Sequence, residues 1–119
     1  MTRTLVAAVL AGAALACAVP AGADLTPPRK TVRVYDNYFL PARLTVDRGT
    51  RVTWKWPLDV GDIHDVKLKR GPRGARRFHS DPASAGYRYT RTLKVPGIYR
   101  IICTLHEDAP MTMSIRVRE

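Results

Sequence analysis

Beyond residue 30 the chain alternates. Val32 and Val34 bracket Arg33, while Val52, Trp54 and Trp56 share one face and Arg51, Thr53 and Lys55 the other. His64, Val66 and Leu68 stand together with Asp65 and Lys67 opposite; Tyr99, Ile101 and Cys103 leave Arg100 outside, and Met113, Ile115 and Val117 point one way. A period of two suits a strand with one buried face, and no stretch carries the 3.6-residue period of an amphipathic helix. Turn formers separate the runs: Pro41, Asp47-Arg48-Gly49, Pro57, Gly71-Pro72, Pro96-Gly97 and Pro110. About seven strands in one short chain without a helix predict an all-β, Greek-key β-sandwich. Arg91 interrupts the alternation in YRYTRTL, which predicts a bulge or an edge strand. The run KRGPRGARRFHSDPASAG is too long for a hairpin loop and is expected to wrap across the sandwich.

The amino-terminal stretch does not belong to that pattern. An early Arg3, an apolar run from Leu5 to Val19 and small residues ending Ala21-Gly22-Ala23 read as a secretory signal, removed before Asp24. The apolar run is short and broken by Gly12 and Pro20, so no transmembrane helix is expected to be retained. The alternative is lipid attachment at Cys17, although Ala14 stands where such sites carry a branched residue or leucine. Residues 1–23 are thus expected as signal, 24–30 as an extended leader and 31–119 as one small domain. The expected location is the periplasm, the cell exterior or the cell surface, and the expected state is a monomer.

Export makes the cysteine count informative. With Cys17 removed, Cys103 is the one thiol left, in a compartment that oxidises exposed thiols. It must be buried, reactive or bound to something. The chain also carries 20 Lys+Arg against 10 Asp+Glu, a formal charge of +10. Export, and the lack of aromatic residues interleaved with the basic run, argue against a nucleic-acid partner. The cluster Lys67, Lys69, Arg70, Arg73, Arg76 and Arg77 is either a solvated strand end and loop or a docking patch for an anionic partner or surface.

Cys103, His106 and Met111 follow a Cys-x-x-His-x-x-x-x-Met spacing, with His64 lying 39 residues before the cysteine. Parity places His64 and Cys103 on the apolar faces of their strands, near the strand ends. Two polar groups at a core edge need partners, because burying them unsatisfied is costly. One thiolate with two imidazoles and a thioether suits copper in both Cu(I) and Cu(II): sulfur favours the reduced ion and imidazole tolerates both. Zinc gains little from a methionine, and the Cys-x-x-Cys-His attachment of a haem is missing. The structural alternatives are a small buried Cys103, a satisfied core His64 and a loop-plugging Met111. Met113 shares parity with Ile115 and Val117, so core is its expected role. Trp54 and Trp56 are expected to pack, and His79 to be a solvated loop residue.

These pieces resemble the cupredoxin family, and within it the small plastocyanin-like and amicyanin-like blue copper proteins. The resemblance runs through YFLPARLTVDRGTRVTWKW, DIHDVKL and YRYTRTLKVPGIYRIICTLHEDAPM in the family's order. It implies His64, Cys103 and His106 as equatorial copper ligands, Met111 as the axial one, and transfer of single electrons to a redox protein docking transiently near His106. The alternative function is a copper carrier or buffer using the same ligands. An enzyme is not expected, since three histidines cannot furnish a second copper centre as well. One departure stands out: the family usually has Asn after the first His ligand, and this chain has Asp65.

Asp65 accepts hydrogen bonds, from Thr104 for example, but cannot donate as an amide does. With Asp59, Asp62, Glu107 and Asp108 it adds negative charge around the two histidines, and negative charge favours Cu(II). Asp65→Asn is therefore expected to raise the reduction potential in voltammetry; an unchanged or lower value contradicts this.

Overall fold

The computed structural model describes residues 7–14 and 26–119. The cleavage site at Ala23 and the alternative lipid site at Cys17 lie outside the described residues. Among the described residues no helix is long and apolar enough to cross a membrane.

Eight strands form two four-stranded sheets. They are β1 (Arg29–Tyr35), β2 (Tyr38–Leu40), β3 (Arg43–Asp47), β4 (Thr50–Lys55), β5 (Lys67–Arg70), β6 (Arg88–Leu93), β7 (Gly97–Ile102) and β8 (Thr112–Arg118). One sheet is ordered β2-β1-β4-β6 and the other β3-β8-β7-β5. Both are mixed, since β1 runs parallel to β4 and β3 parallel to β8. The expected all-β sandwich is present, with eight strands where about seven were expected. β1 starts at Arg29, inside the stretch read as leader.

The period-two faces become the core. Val32, Val34, Val52, Trp54 and Trp56 from one sheet meet Leu68, Tyr99, Ile101, Met113, Ile115 and Val117 from the other. Burial of these apolar side chains is the main driving force for closing the two layers. Trp54 packs against Phe78 and Tyr89 at ring-centroid distances of 5.7 and 6.1 Å. Its Nε1–H donates to Met113 Sδ at 3.3 Å. Both tryptophans are therefore packing residues, and the Met113 sulfur is occupied within the core.

The strand carrying Arg91 lies at a sheet edge with unbroken register against β4. Its edge position lets the guanidinium escape, 4.1 Å above the Tyr89 ring. A register irregularity occurs instead in β5, between Leu68 and Arg70. The long segment after β5 leaves one sheet and returns in β6 to the other, so it does cross the sandwich. It is anchored by buried Phe78 and Ser80. Entry to β7 depends on Gly97, at φ 137, where a Cβ would lie 2.7 Å from Pro72 Cβ.

The outer face of the β2-β1-β4-β6 sheet places like charges in register: Arg29 opposite Arg51, and Lys55 between Arg33 and Arg88. Among the described residues the ion pair made by a Lys or Arg is Arg118 with Asp47, on the other sheet. Like charges directly opposite destabilise a strand pair. Lys55→Glu is thus expected to stabilise the fold by roughly 0.5–1 kcal/mol in denaturant unfolding at low salt, with the gain shrinking as salt is added. A variant less stable than the parent at low salt contradicts this.

Candidate metal centre

Three segments that follow strand ends build the site. The β1–β2 turn supplies Asp36, the 56–66 linker after β4 supplies Asp62, His64 and Asp65, and the loop after β7 supplies Cys103 to Met111. His64 is held by an isolated bridge to Ala83 rather than within a regular strand, with backbone N–H···O bonds of 2.9 Å both ways. Thr104–His106 forms a single 3-10 turn that starts directly after Cys103, whose C=O accepts His106 N–H at 3.3 Å. At three residues per turn, positions i and i+3 eclipse. That is the physical content of Cys-x-x-His: the sulfur and the imidazole emerge on one side.

The three donors converge. Cys103 Sγ lies 3.4 Å from His106 Nδ1 and 4.0 Å from His64 Nδ1, and the two Nδ1 atoms are 3.2 Å apart. His64 and Cys103 are fully buried, and the His106 side chain is 19 % exposed. Met111 is also fully buried. Its backbone is pinned to the other two: Cys103 N–H donates to Met111 O at 3.0 Å, and Met111 N–H to His106 O at 3.4 Å.

Carboxylates orient the imidazoles. His64 Nε2–H donates to Asp36 Oδ1 at 2.7 Å, and His106 Nε2–H to Asp62 Oδ2 at 3.0 Å. Asp36 also accepts the N–H groups of Gly61 and Asp62, and Asp62 accepts that of Ile63. The hydrogen bond from His64, then that from Gly61, holds the Asp36 carboxyl below its usual range. For Asp62 the Ile63 N–H acts first and His106 second, in the same direction. With each Nε2 turned to a carboxylate, each Nδ1 is the ring atom left facing Cys103 Sγ.

Two ring nitrogens 3.2 Å apart beside a sulfur need a proton or a metal cation among them. A trigonal set with bonds of about 2.0–2.3 Å separates its donors by about 3.5–3.8 Å, which the three observed distances bracket. His64, Cys103 and His106 are positioned to bind a metal ion.

Asp65 ties the ligand segments together. Although parity set it opposite the apolar face, it is buried. Its Oδ1 accepts Thr104 N–H at 2.7 Å, and its Oδ2 accepts Thr104 Oγ1–H at 2.5 Å and His79 Nε2–H at 2.7 Å. Burial alone pushes this carboxyl up; the donors from His79 and Thr104 together outweigh it, and the net direction is down. His79 was expected to be merely solvated; it is half exposed but committed to Asp65. Asp36 was missed, because the Asp36-Asn37 pair signals only a hairpin turn and no spacing links it to His64. Burial pushes the Cys103 thiol up.

A family model for copper-binding proteins of the plastocyanin/azurin family matches residues 31–118. A halocyanin from Natronomonas pharaonis is 36% identical over 74 residues, covering 61% of this chain and 44% of its own length, so the chain spans under half of that relative. Among solved structures, a pseudoazurin from Sinorhizobium meliloti superposes with a TM-score of 0.67 at 24% identity, covering 77% of this chain and 75% of that one. A copper-containing nitrite reductase from Thermus scotoductus gives 0.64 at 31% identity over 80% of this chain but only 23% of its own. The donor set and the matching family agree on copper.

A metal that binds only the folded state must stabilise it. Adding Cu(II) in hundredfold excess over its dissociation constant is expected to stabilise the protein by about 2.7 kcal/mol, raising its melting temperature, with the shift lost in Cys103→Ser. Because the free thiol is protonated, binding also releases about one proton near pH 7. Calorimetry in two buffers of different ionisation enthalpy counts it; zero release contradicts thiolate ligation.

Proposed function

The chain belongs to the plastocyanin/azurin family of copper-binding proteins, and from that premise we propose that it carries single electrons between redox partners outside the cytoplasm. His64, Cys103 and His106, with Met111, are the residues that would hold the copper ion. The convergence of His64 Nδ1, His106 Nδ1 and Cys103 Sγ within 4.8 Å of one another is the observation that carries this reading. A copper ion held there would supply the one-electron chemistry of the Cu(I)/Cu(II) pair.

The protein's own residues make that exchange cheap in motion. Asp36 and Asp62 keep the imidazoles from turning, and Asp65 locks Thr104 to the His64 segment. Ligands already held in position need little rearrangement for either oxidation state. His106 alone of the three donors reaches solvent, and its chain neighbour Leu105 and the His64 neighbour Ile63 are each about half exposed. Apolar side chains around an exposed ligand edge suit a small, transient docking surface. Burial of His64, Cys103 and Met111 favours retention of the ion over release, which speaks against the copper-carrier alternative. Transport rather than catalysis is the proposed role, since His79 is engaged by Asp65 and no further histidine remains for a second copper centre.

An anionic partner or surface is a further part of the proposal. Arg76, Arg77, Arg91 and Lys94 line a cleft of about 750 Å³ beside the Lys67–Arg77 region. Residues 1–23 are proposed as a removed signal, followed by a short leader into the domain that β1 opens at Arg29, with a monomer exported to the periplasm or cell surface.

Copper(II) added to the purified protein is expected to produce an intense visible thiolate-to-copper charge-transfer band, absent in Cys103→Ala. A colourless wild-type complex contradicts the site class. Leu105→Glu is expected to slow electron self-exchange between copies, followed by NMR line broadening, by about tenfold through like-charge repulsion at an already acidic contact, with the band unchanged. An unaltered rate excludes the His106 end as the exchange surface.

A further inference from the structure

His79 stands outside the ligand set and outside the regular strands, yet its place is fixed. Its neighbours Phe78 and Ser80 are buried, and the segment pairs with the stretch just after His64: Leu68 N–H donates to Phe78 O at 3.0 Å, Ser80 N–H to Val66 O at 2.8 Å, and Val66 N–H to Ser80 Oγ at 2.9 Å. His79 itself bridges Lys67. The imidazole is thereby delivered to the Asp65 carboxylate, whose side chain is only 2 % exposed against 48 % for His79. Asp65 follows one histidine donor directly, and its other partner, Thr104, follows Cys103 directly. The chain of contacts His79–Asp65–Thr104 therefore ends one residue from the sulfur.

We propose that His79 is a positioning residue of the copper site: by donating Nε2–H to Asp65 Oδ2 it holds the carboxylate against Thr104, offsets its negative charge beside Cys103, and so raises the reduction potential. The effect on potential rests on the copper reading above; the holding of Asp65 does not. A surface ion pair of two mobile side chains contributes little. Here one partner is buried and shares its two oxygens among three donors. Removing His79 leaves Oδ2 with Thr104 Oγ1 alone. The carboxylate then turns more freely and its charge is less compensated, which favours Cu(II). In a chain with Asn at position 65 there is no such charge to offset. His79 is thus the counterpart of the departure at Asp65: the acid enters with its own donor.

The test is a double-mutant cycle on the copper-loaded full chain. At a fixed applied potential, His79→Leu is expected to lower the ratio of reduced to oxidised protein about threefold to tenfold, tenfold corresponding to 59 mV for one electron. His79→Gln, which keeps a donor, is expected to recover at least half of the shift. In the Asp65→Asn background His79→Leu is expected to have no effect. In the copper-free protein, the Thr104 amide proton is expected to exchange about tenfold faster in His79→Leu, at unchanged exchange of the core β4 amides. An unchanged potential, a shift of equal size with Asn already at position 65, or an unchanged Thr104 amide overturns the proposal. A wild-type protein without the charge-transfer band overturns the copper reading and the effect on potential together, while the Thr104 exchange still decides whether His79 holds Asp65.

Discussion

Two imidazole nitrogens face each other at 3.2 Å beside a buried sulfur, and each ring is kept there by an N–H given to a carboxylate on its far side. That arrangement asks for a proton or a metal cation among the donors, and the fold maintains it. Asp36 does so from the β1–β2 turn, where it also receives the Gly61 and Asp62 amides. Asp62 does so from the linker that itself carries His64. Asp65 joins the two ligand-bearing segments through Thr104. Three aspartates thus perform the positioning, while cysteine and histidines supply the donor atoms.

The sandwich matters because it brings these segments to one end. The Cys103 segment continues from β7 in one sheet, and the His64 segment continues from β4 in the other. The contact of Trp54 with the Met113 sulfur joins the two layers, while Tyr89 of the neighbouring strand and Phe78 of the crossing segment pack around its ring. Charge is distributed to match. Asp36, Asp62 and Asp65 gather at the site, while the outer face of the β2-β1-β4-β6 sheet carries Arg29, Arg33, Arg51, Lys55 and Arg88. Such separation gives the molecule an electric dipole.

Much of this was legible in the sequence, for reasons that differ by element. Period-two alternation placed Val32, Val52, Trp54, Ile101 and Ile115 correctly, because a half-buried strand imposes that pattern residue by residue. The spacing of Cys103 and His106 was legible because a single 3-10 turn connects them. His64 and Cys103 fell on inward faces by parity, and both are buried. Parity failed at Asp65: His64 lies in an isolated bridge rather than a regular strand, and its neighbour turns inward to meet Thr104. Asp36 and His79 were not legible as site residues. Each reaches the site through pairing between distant segments, Asp36 to Gly61 and Ser80 to Val66, and such pairings leave no local period. The extra strand arises because the short β2, Tyr38–Leu40, pairs with β1 across the turn that carries Asp36.

The central claim is that the protein, rather than the ion, sets the donor geometry. Crystal structures of one protein preparation in the metal-free, Cu(I) and Cu(II) states test it most directly. His64 Nδ1, His106 Nδ1 and Cys103 Sγ are expected to keep their positions within about 0.5 Å across all three, with the Asp36, Asp62 and Asp65 hydrogen bonds intact. A His106 ring that swings out to solvent when the metal is absent or reduced, breaking its bond to Asp62, contradicts it.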